Sequence, residues 1–258
     1  MSESALAGFT VNGALFRTSL DTVTVSGTGV YNTFLAFGDD PGDGDLSVEG
    51  FNSGSSSLMP EVNDAKTFAL LGSSLTTVQN LLDPSAVLYG FGADINEPAS
   101  QGRAFISVDQ LQIWVRPAAA GDIDPANTYS ALSTATGAVK VWDLDAGGDK
   151  SVLFNYLLAS SGSGRSDLLF ILPESVIQAS VPTFAPDANW RVYLFARMGD
   201  IGTSFDVTRD YGENGGGFEE WQTVGNLVLL PEPGTYAAIG VVGLAAVGVW
   251  RRSRRSKA

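Results

Sequence analysis

The sequence predicts a mainly β protein, an antiparallel β-sandwich of jelly-roll type with one or two short helices, followed by a single C-terminal transmembrane helix. Two observations predict the sandwich. Short runs of β-branched and aromatic residues recur along residues 1–230, and turn residues separate them at short intervals, with 30 glycines and 11 prolines in the chain. Helical periodicity is scarce. Many short strands joined by turns are typical of antiparallel sandwiches.

The strands are predicted from composition and from the alternation of apolar positions. In residues 104–116 the apolar positions change parity between Val108 and Leu111. Because alternate side chains point to opposite faces of a sheet, this change predicts a β-bulge near Asp109 and Gln110. The predicted strands cover residues 22–25, 104–116, 138–142, 152–158, 168–172, 190–196 and 221–230.

Two short helices are expected among these strands. In residues 74–82, Leu75, Val78 and Leu82 have helical spacing after a serine that suits a helix cap. A second helix is expected to open at residues 124–125. The glycine- and serine-rich stretches of the body are too short for domain linkers, so residues 1–230 are predicted to form one domain and residues 231–258 a separate terminal segment.

Composition excludes several classes of function. The chain has no cysteine and no histidine, which excludes disulfides, thiolate zinc sites, cysteine nucleophiles and any catalytic triad with an imidazole base. The net charge is −13, and it divides into −17 over residues 1–230 and +4 over residues 231–258. A body this acidic repels nucleic acid, so no nucleic-acid partner is expected.

Two acidic loops with glycines are candidate calcium sites. Calcium prefers six to eight oxygen ligands, which such loops supply, but neither loop has the spacing of an EF-hand. Aspartate and glycine also dominate solvated β-turns, and that alternative stays open. The candidate ligands are Asp39, Asp40, Asp43, Asp45, Asp143, Asp145 and Asp149.

No catalytic residues are predicted, and the protein is not expected to be an enzyme. Glu219 and Glu220 are neighbours on a strand, so their side chains face opposite sides and do not form a catalytic pair. Trp190 and Trp221 are expected in the core, with an exposed tryptophan as the alternative that would favour a carbohydrate platform.

The C-terminal segment predicts a marginal membrane span. Residues 235–250 contain no charge, and as a helix they would be about 24 Å long, slightly less than a ~30 Å hydrocarbon core. Clustered arginines beside a span stay on the cytoplasmic side, which places the body outside. Export requires an N-terminal signal, and residues 1–13 show none, so we expect that a leader is missing from the sequence. The basic cluster contains Arg251, Arg252, Arg254 and Arg255.

The order of three features, Pro-Glu-Pro-Gly, a short apolar span and an arginine-rich end, resembles the PEP-CTERM sorting signal of Gram-negative bacterial surface proteins. The resemblance implies export, retention by the C-terminal helix in the inner membrane, and processing near the motif by a membrane enzyme, exosortase. It implies that Pro231, Glu232, Pro233 and Gly234 form the processing motif and that the arginines stop transfer.

The predicted function is therefore that of an exported cell-surface or extracellular-matrix protein with a structural or adhesive body. The partners expected are exosortase, the membrane and an extracellular polysaccharide such as that of a biofilm matrix. A calcium-dependent carbohydrate-binding module is the alternative, and a polysaccharide-cleaving enzyme ranks third.

Overall fold

The computed structural model describes residues 8–18, 33–38, 47–55, 58–80, 83–96, 104–124, 128–155, 166–201, 204, 208–212, 217–225 and 228–229. Over these residues the protein is mainly antiparallel β and forms two sheets. Two short α-helices are present, α1 (Ser130–Thr134) and α2 (Glu174–Ser180). The strands are β1 (Phe9–Val11), β2 (Ala14–Thr18), β3 (Thr33–Phe37), β4 (Val48–Phe51), β5 (Leu70–Leu71), β6 (Thr77–Asn80), β7 (Leu88–Asp94), β8 (Phe105–Pro117), β9 (Val139–Asp143), β10 (Val152–Asn155), β11 (Leu168–Pro173), β12 (Trp190–Met198), β13 (Glu219–Val224) and β14 (Val228–Leu229).

The larger sheet has eight strands in the order β1-β2-β11-β7-β13-β3, with β6 on β7 and β14 on β6. The smaller sheet has six strands in the order β10-β8-β12-β4, with β9 on β8 and β5 on β12. Every described pairing inside these sheets is antiparallel except the one between β14 and β6, which is parallel.

One hydrophobic core joins the two sheets. Phe170 on β11 of the larger sheet contacts Trp142 on β9 of the smaller sheet, with ring centroids 4.6 Å apart. Phe16 and Phe91 of the larger sheet also pack on Phe170, at 5.2 and 5.7 Å. These rings are fully or almost fully buried, so the sheets are held together mainly by burial of large apolar side chains.

The predicted β-bulge is confirmed. In the pairing of β12 with β8, Arg197 lies opposite Gln110 and Met198 lies opposite Val108, so Asp109 has no partner residue in β12. The extra residue accounts for the change of parity between Val108 and Leu111. The strands predicted at 104–116, 138–142, 168–172 and 190–196 are present with boundaries shifted by one or two residues.

The helix predicted at residues 74–82 is wrong. Residues 77–80 form β6, where Val78 lies opposite Leu88 of β7. Val78 is buried and its neighbours Thr77 and Gln79 are exposed, which is the alternation of a strand. A single 3-10 turn, Gly72–Ser74, precedes it, so cross-strand pairing overrides the helical spacing of the leucines.

The second helix is displaced from its predicted start. Residue 124 lies in a loop, and α1 begins only at Ser130. Helix α2 was not predicted; it follows β11 directly after Pro173, with Glu174 in its first turn. No helix within the described ranges is long and apolar enough to span a membrane, and residues 235–250 lie outside those ranges, as does the strand predicted at 22–25.

Candidate functional site

Several predicted site residues lie outside the described part of the chain. They are Asp39, Asp40, Asp43, Asp45, Pro231, Glu232, Pro233, Gly234, Arg251, Arg252, Arg254 and Arg255. The predicted site residues that the structure describes are therefore Asp143, the last residue of β9, and Asp145 and Asp149 in the loop that follows it.

In this loop the ammonium group of Lys150 lies among three backbone carbonyl groups. Its Nζ donates to the carbonyl oxygens of Leu144 at 3.2 Å, Ala146 at 2.7 Å and Gly148 at 3.3 Å. The loop can curl around the ammonium because Gly147 and Gly148 have φ of 85° and 143°, a region that side chains other than glycine disfavour. A cation supplied by the chain itself thus satisfies these oxygens.

The carboxylates of Asp143 and Asp145 have separate partners. Asp143 pairs with Lys140 and accepts a hydrogen bond from the backbone N–H of Asp145 at 3.1 Å. Asp145 accepts the backbone N–H of Lys150 at 3.0 Å. Burial raises the pKa of Asp145, and the charges of Asp143 and Asp149 act in the same direction. Among the residues that the structure describes, no group of three or more acidic side chains is arranged to hold a metal ion.

A groove of about 430 Å³ with a mixed polar and apolar lining lies beside α1. Arg116 connects the segments around the groove: its guanidinium donates hydrogen bonds to the carbonyl oxygens of Thr136, Gly121 and Asp122 at 3.0 to 3.2 Å. The Asp122 carboxylate in turn accepts the hydroxyl of Tyr193 at 2.9 Å. The groove is lined by Arg116, Asp122, Ile123, Asp124, Thr128, Ser130, Ala131, Thr134 and Ala135.

The groove offers hydroxyl and charged groups for hydrogen bonding beside apolar side chains. The hydroxyls of Thr128, Ser130 and Thr134 belong to exposed residues on one wall, and Thr128 and Ser130 lie 3.2 Å apart. None of the described residues that line it is aromatic. A groove of hydroxyls and carboxylates without an aromatic ring offers hydrogen bonds to sugar hydroxyls but no stacking platform.

Four buried carboxylates gather at one end of the larger sheet. They lie where β7 ends and where β11 and β13 begin, at 0 to 9% exposure. The Asp167 carboxylate accepts the backbone N–H of Ile95 at 3.0 Å, and the Glu219 carboxylate accepts that of Asn96 at 3.1 Å. These contacts stabilise the chain as it leaves β7. We call this set the carboxylate end: Asp94, Asp167, Glu219 and Glu220.

Glu219 and Glu220 have different partners, as expected for neighbours on a strand. Glu220 pairs with Lys66 and accepts the hydroxyl of Thr33 at 2.9 Å, whereas Glu219 accepts Asn96. No direct signal for the carboxylate end as a whole is present in the sequence, because its four members are separated by up to 126 residues and meet only through strand register.

Asp109, the residue at the bulge, is a buried carboxylate that the sequence interpretation passed over. It is 6% exposed and accepts the hydroxyl of Ser107 and the backbone N–H of Asp200, each at 2.7 Å. Burial raises its pKa, and the charge of Asp200 raises it further. The bulge therefore places Asp109 where it binds the loop that follows β12.

The described tryptophans are internal. Trp114, Trp142 and Trp221 are buried, and Trp190 is half-buried and packs on Phe184 with ring centroids 5.7 Å apart. The expectation that Trp221 lies in the core is confirmed. No tryptophan in the described ranges forms an exposed platform for a sugar.

No protein-family model, curated protein or solved structure matches this chain.

Proposed function

We propose that this chain is an exported cell-surface or extracellular-matrix protein that is sorted and processed through its C-terminal segment. A single observation carries the proposal: a Pro-Glu-Pro-Gly motif, an uncharged run at residues 235–250 and a cluster of arginines follow one another in that order. Residues 1–230 are the exported body, and residues 231–258 are the sorting signal.

The proposed mechanism follows from the chemistry of each part. The uncharged run enters the bilayer as a single transmembrane helix, and the arginines Arg251, Arg252, Arg254 and Arg255 keep its end in the cytoplasm. The prolines Pro231 and Pro233 exclude regular structure, so Glu232 and Gly234 lie in an extended peptide that exosortase can bind and cut. The inner membrane holds the intermediate, and the processed body reaches the cell surface or the extracellular space.

For the body we propose a structural or adhesive role on a sandwich of jelly-roll type. Two sheets that share a core of large aromatic rings support it, because burial of these rings stabilises the body and the chain has no cysteine for a disulfide. Lys150 and Asp109 each form hydrogen bonds with a loop of the protein itself, which also favours a structural role for the body.

A calcium-dependent carbohydrate-binding module is the second candidate. The groove beside α1 offers hydroxyl and carboxylate groups to sugar hydroxyls, and the acidic residues Asp39, Asp40, Asp43, Asp45, Asp143, Asp145 and Asp149 stay candidate calcium ligands. A glycan-binding assay with and without calcium separates the candidates, because glycan binding that chelator abolishes is expected of the module alone. Sugar release from polysaccharides tests the third candidate, a polysaccharide-cleaving enzyme.

The sorting proposal is tested by exchanging the prolines of the motif in the full chain. The host is a Gram-negative bacterium that has an exosortase, and every chain is expressed behind a secretory signal peptide. We expect the double variant Pro231→Ala with Pro233→Ala to keep its tail and to stay in the membrane fraction, whereas the unchanged chain is shortened and released. Pro182→Ala with Pro186→Ala is the matched control and should behave as the unchanged chain does. Equal processing of the motif variant and the control would refute the role of the motif.

A further inference from the structure

The larger sheet has two ends that lie far apart. At one end β7 starts at Leu88, β11 finishes at Pro173 and β14 finishes at Leu229; we call it the β14 end. The carboxylate end is the opposite one, where β7 finishes at Asp94. Because β7 has seven residues, these ends are separated by about 20 Å along the strand.

The chain is attached to the β14 end up to residue 229. Val228 and Leu229 of β14 pair with Gln79 and Asn80 of β6, and β6 pairs with β7. Before β14, Gly225 packs so closely on Thr76, the residue that precedes β6, that an added Cβ would lie 2.8 Å from the Cβ of Thr76. The last paired residue therefore lies at the β14 end and is held there through β6.

The segment between Leu229 and residue 235 is too short to let the carboxylate end face the membrane instead of the β14 end. Six residue steps separate Leu229 from residue 235, where the uncharged run begins, and they reach at most about 21 Å when fully extended. The headgroup layer on one side of a bilayer takes up roughly 6 Å of that length. The free tether of about 15 Å is shorter than the ~20 Å length of the sheet.

We infer that the anchored body stands with its β14 end against the lipid bilayer and its carboxylate end directed away from it. The membrane-facing surface contains the turn at residues 83–86 and the side chain of Val87, an apolar residue that is 39% exposed. Its partner is the headgroup layer of the bilayer. This inference rests on the proposed function, since it requires residues 235–250 to be in the membrane.

Two exposed apolar residues make a matched pair of probes for this orientation. Val87 lies at the β14 end, and Phe218, which is 41% exposed, lies at the carboxylate end. The chain has no cysteine, so Val87→Cys and Phe218→Cys each give the full chain a single thiol. Each variant is labelled with a small fluorophore and reconstituted into liposomes that contain a lipid with a nitroxide on its headgroup. We expect the nitroxide to quench the probe at residue 87 several-fold more than the probe at residue 218.

The tether is tested by lengthening it. A flexible glycine-serine insertion of twelve residues between Leu230 and Pro231 adds a reach of roughly 20 Å, so the difference between the two probes should disappear. Equal quenching of both probes without the insertion, or a difference that survives the insertion, would overturn the inference. Flotation separates this failure from failure of the proposed function: a chain that does not float with liposomes refutes the membrane anchor itself, and the orientation with it.

Discussion

Replacement of Lys150 by methionine tests whether the loop between β9 and β10 is held by its own lysine. Lys150→Met keeps the length of the side chain and removes the ammonium group that donates to three carbonyl oxygens. Ala146 and Gly148 are exposed, so water can replace the donor at their carbonyls. The carbonyl of Leu144 keeps the amide of Asn12 as a donor at 2.9 Å.

The magnitude follows from these contacts. A hydrogen bond to a charged group contributes about 1.5 to 3 kcal/mol when water cannot replace it, and here water or Asn12 replaces much of the loss. We therefore expect Lys150→Met to lower the free energy of unfolding by about 1 to 2 kcal/mol in total, or roughly 3 to 6 °C in the melting midpoint.

The assay is thermal unfolding of the full chain with chelator and with millimolar calcium. Lys140→Met is the control, because Lys140 pairs with Asp143 at the surface and its loss should cost less than about 1 kcal/mol. The reasoning is refuted if Lys150→Met has the same melting midpoint as the unchanged protein. It is also refuted if calcium raises the midpoint of the unchanged protein and Asp145→Asn removes that rise, since the loop would then hold a metal.

Three further substitutions probe the core, a close backbone contact and the bulge. Phe170→Ala removes a fully buried ring between the sheets and should lower the free energy of unfolding by about 3 to 5 kcal/mol in denaturant titrations. Gly90→Ala places a Cβ 2.4 Å from the carbonyl oxygen of Val224, and we expect a loss of about 1 to 3 kcal/mol in the same titrations. Asp109→Asn keeps an oxygen acceptor and removes a buried charge; it should be more stable than the unchanged protein at pH 7, and the difference should shrink as the pH falls toward 4.

The sign of the pH effect follows from the direction of the pKa shift. Burial raises the pKa of Asp109 in the folded protein, so folding favours the protonated carboxyl. Its contribution to stability is fully present below the unfolded pKa and is lost as the pH rises through the folded pKa. A difference in the free energy of unfolding between Asp109→Asn and the unchanged protein that does not change with pH would contradict this.

For the core substitution Phe170→Ala, the control is Phe9→Ala, because Phe9 is 46% exposed and its loss should have little effect on the free energy of unfolding.

The strands and the bulge could be predicted because side-chain alternation is a local property of the sequence. The change of parity between Val108 and Leu111 requires one extra residue in the strand, whatever the partner strand is. Residues 74–82 could not be assigned in this way, since the spacing of Leu75 and Val78 suits a helix as well. The pairing of Val78 with Leu88 decides the outcome, and it depends on a residue ten positions away.

The polar contacts of the candidate site depend on geometry that the sequence does not express. The aspartates and glycines of residues 143–150 are residue types typical of a calcium-binding loop. The backbone turn at Gly147 and Gly148, which brings the carbonyl oxygens around Lys150, is not expressed in those residue types. The presence of a lysine within the loop, directly after Asp149, was the signal that could have predicted this. The carboxylate end had no such signal, because strand register alone brings Asp94 beside Glu220.

The mass of the intact protein recovered from its native host tests the sorting proposal most directly. The account predicts a chain that has lost its residues from the region of Pro231 onward and that is found at the cell surface or outside the cell. Recovery of a chain that still ends at Ala258, in the soluble fraction of the cytoplasm, would contradict it.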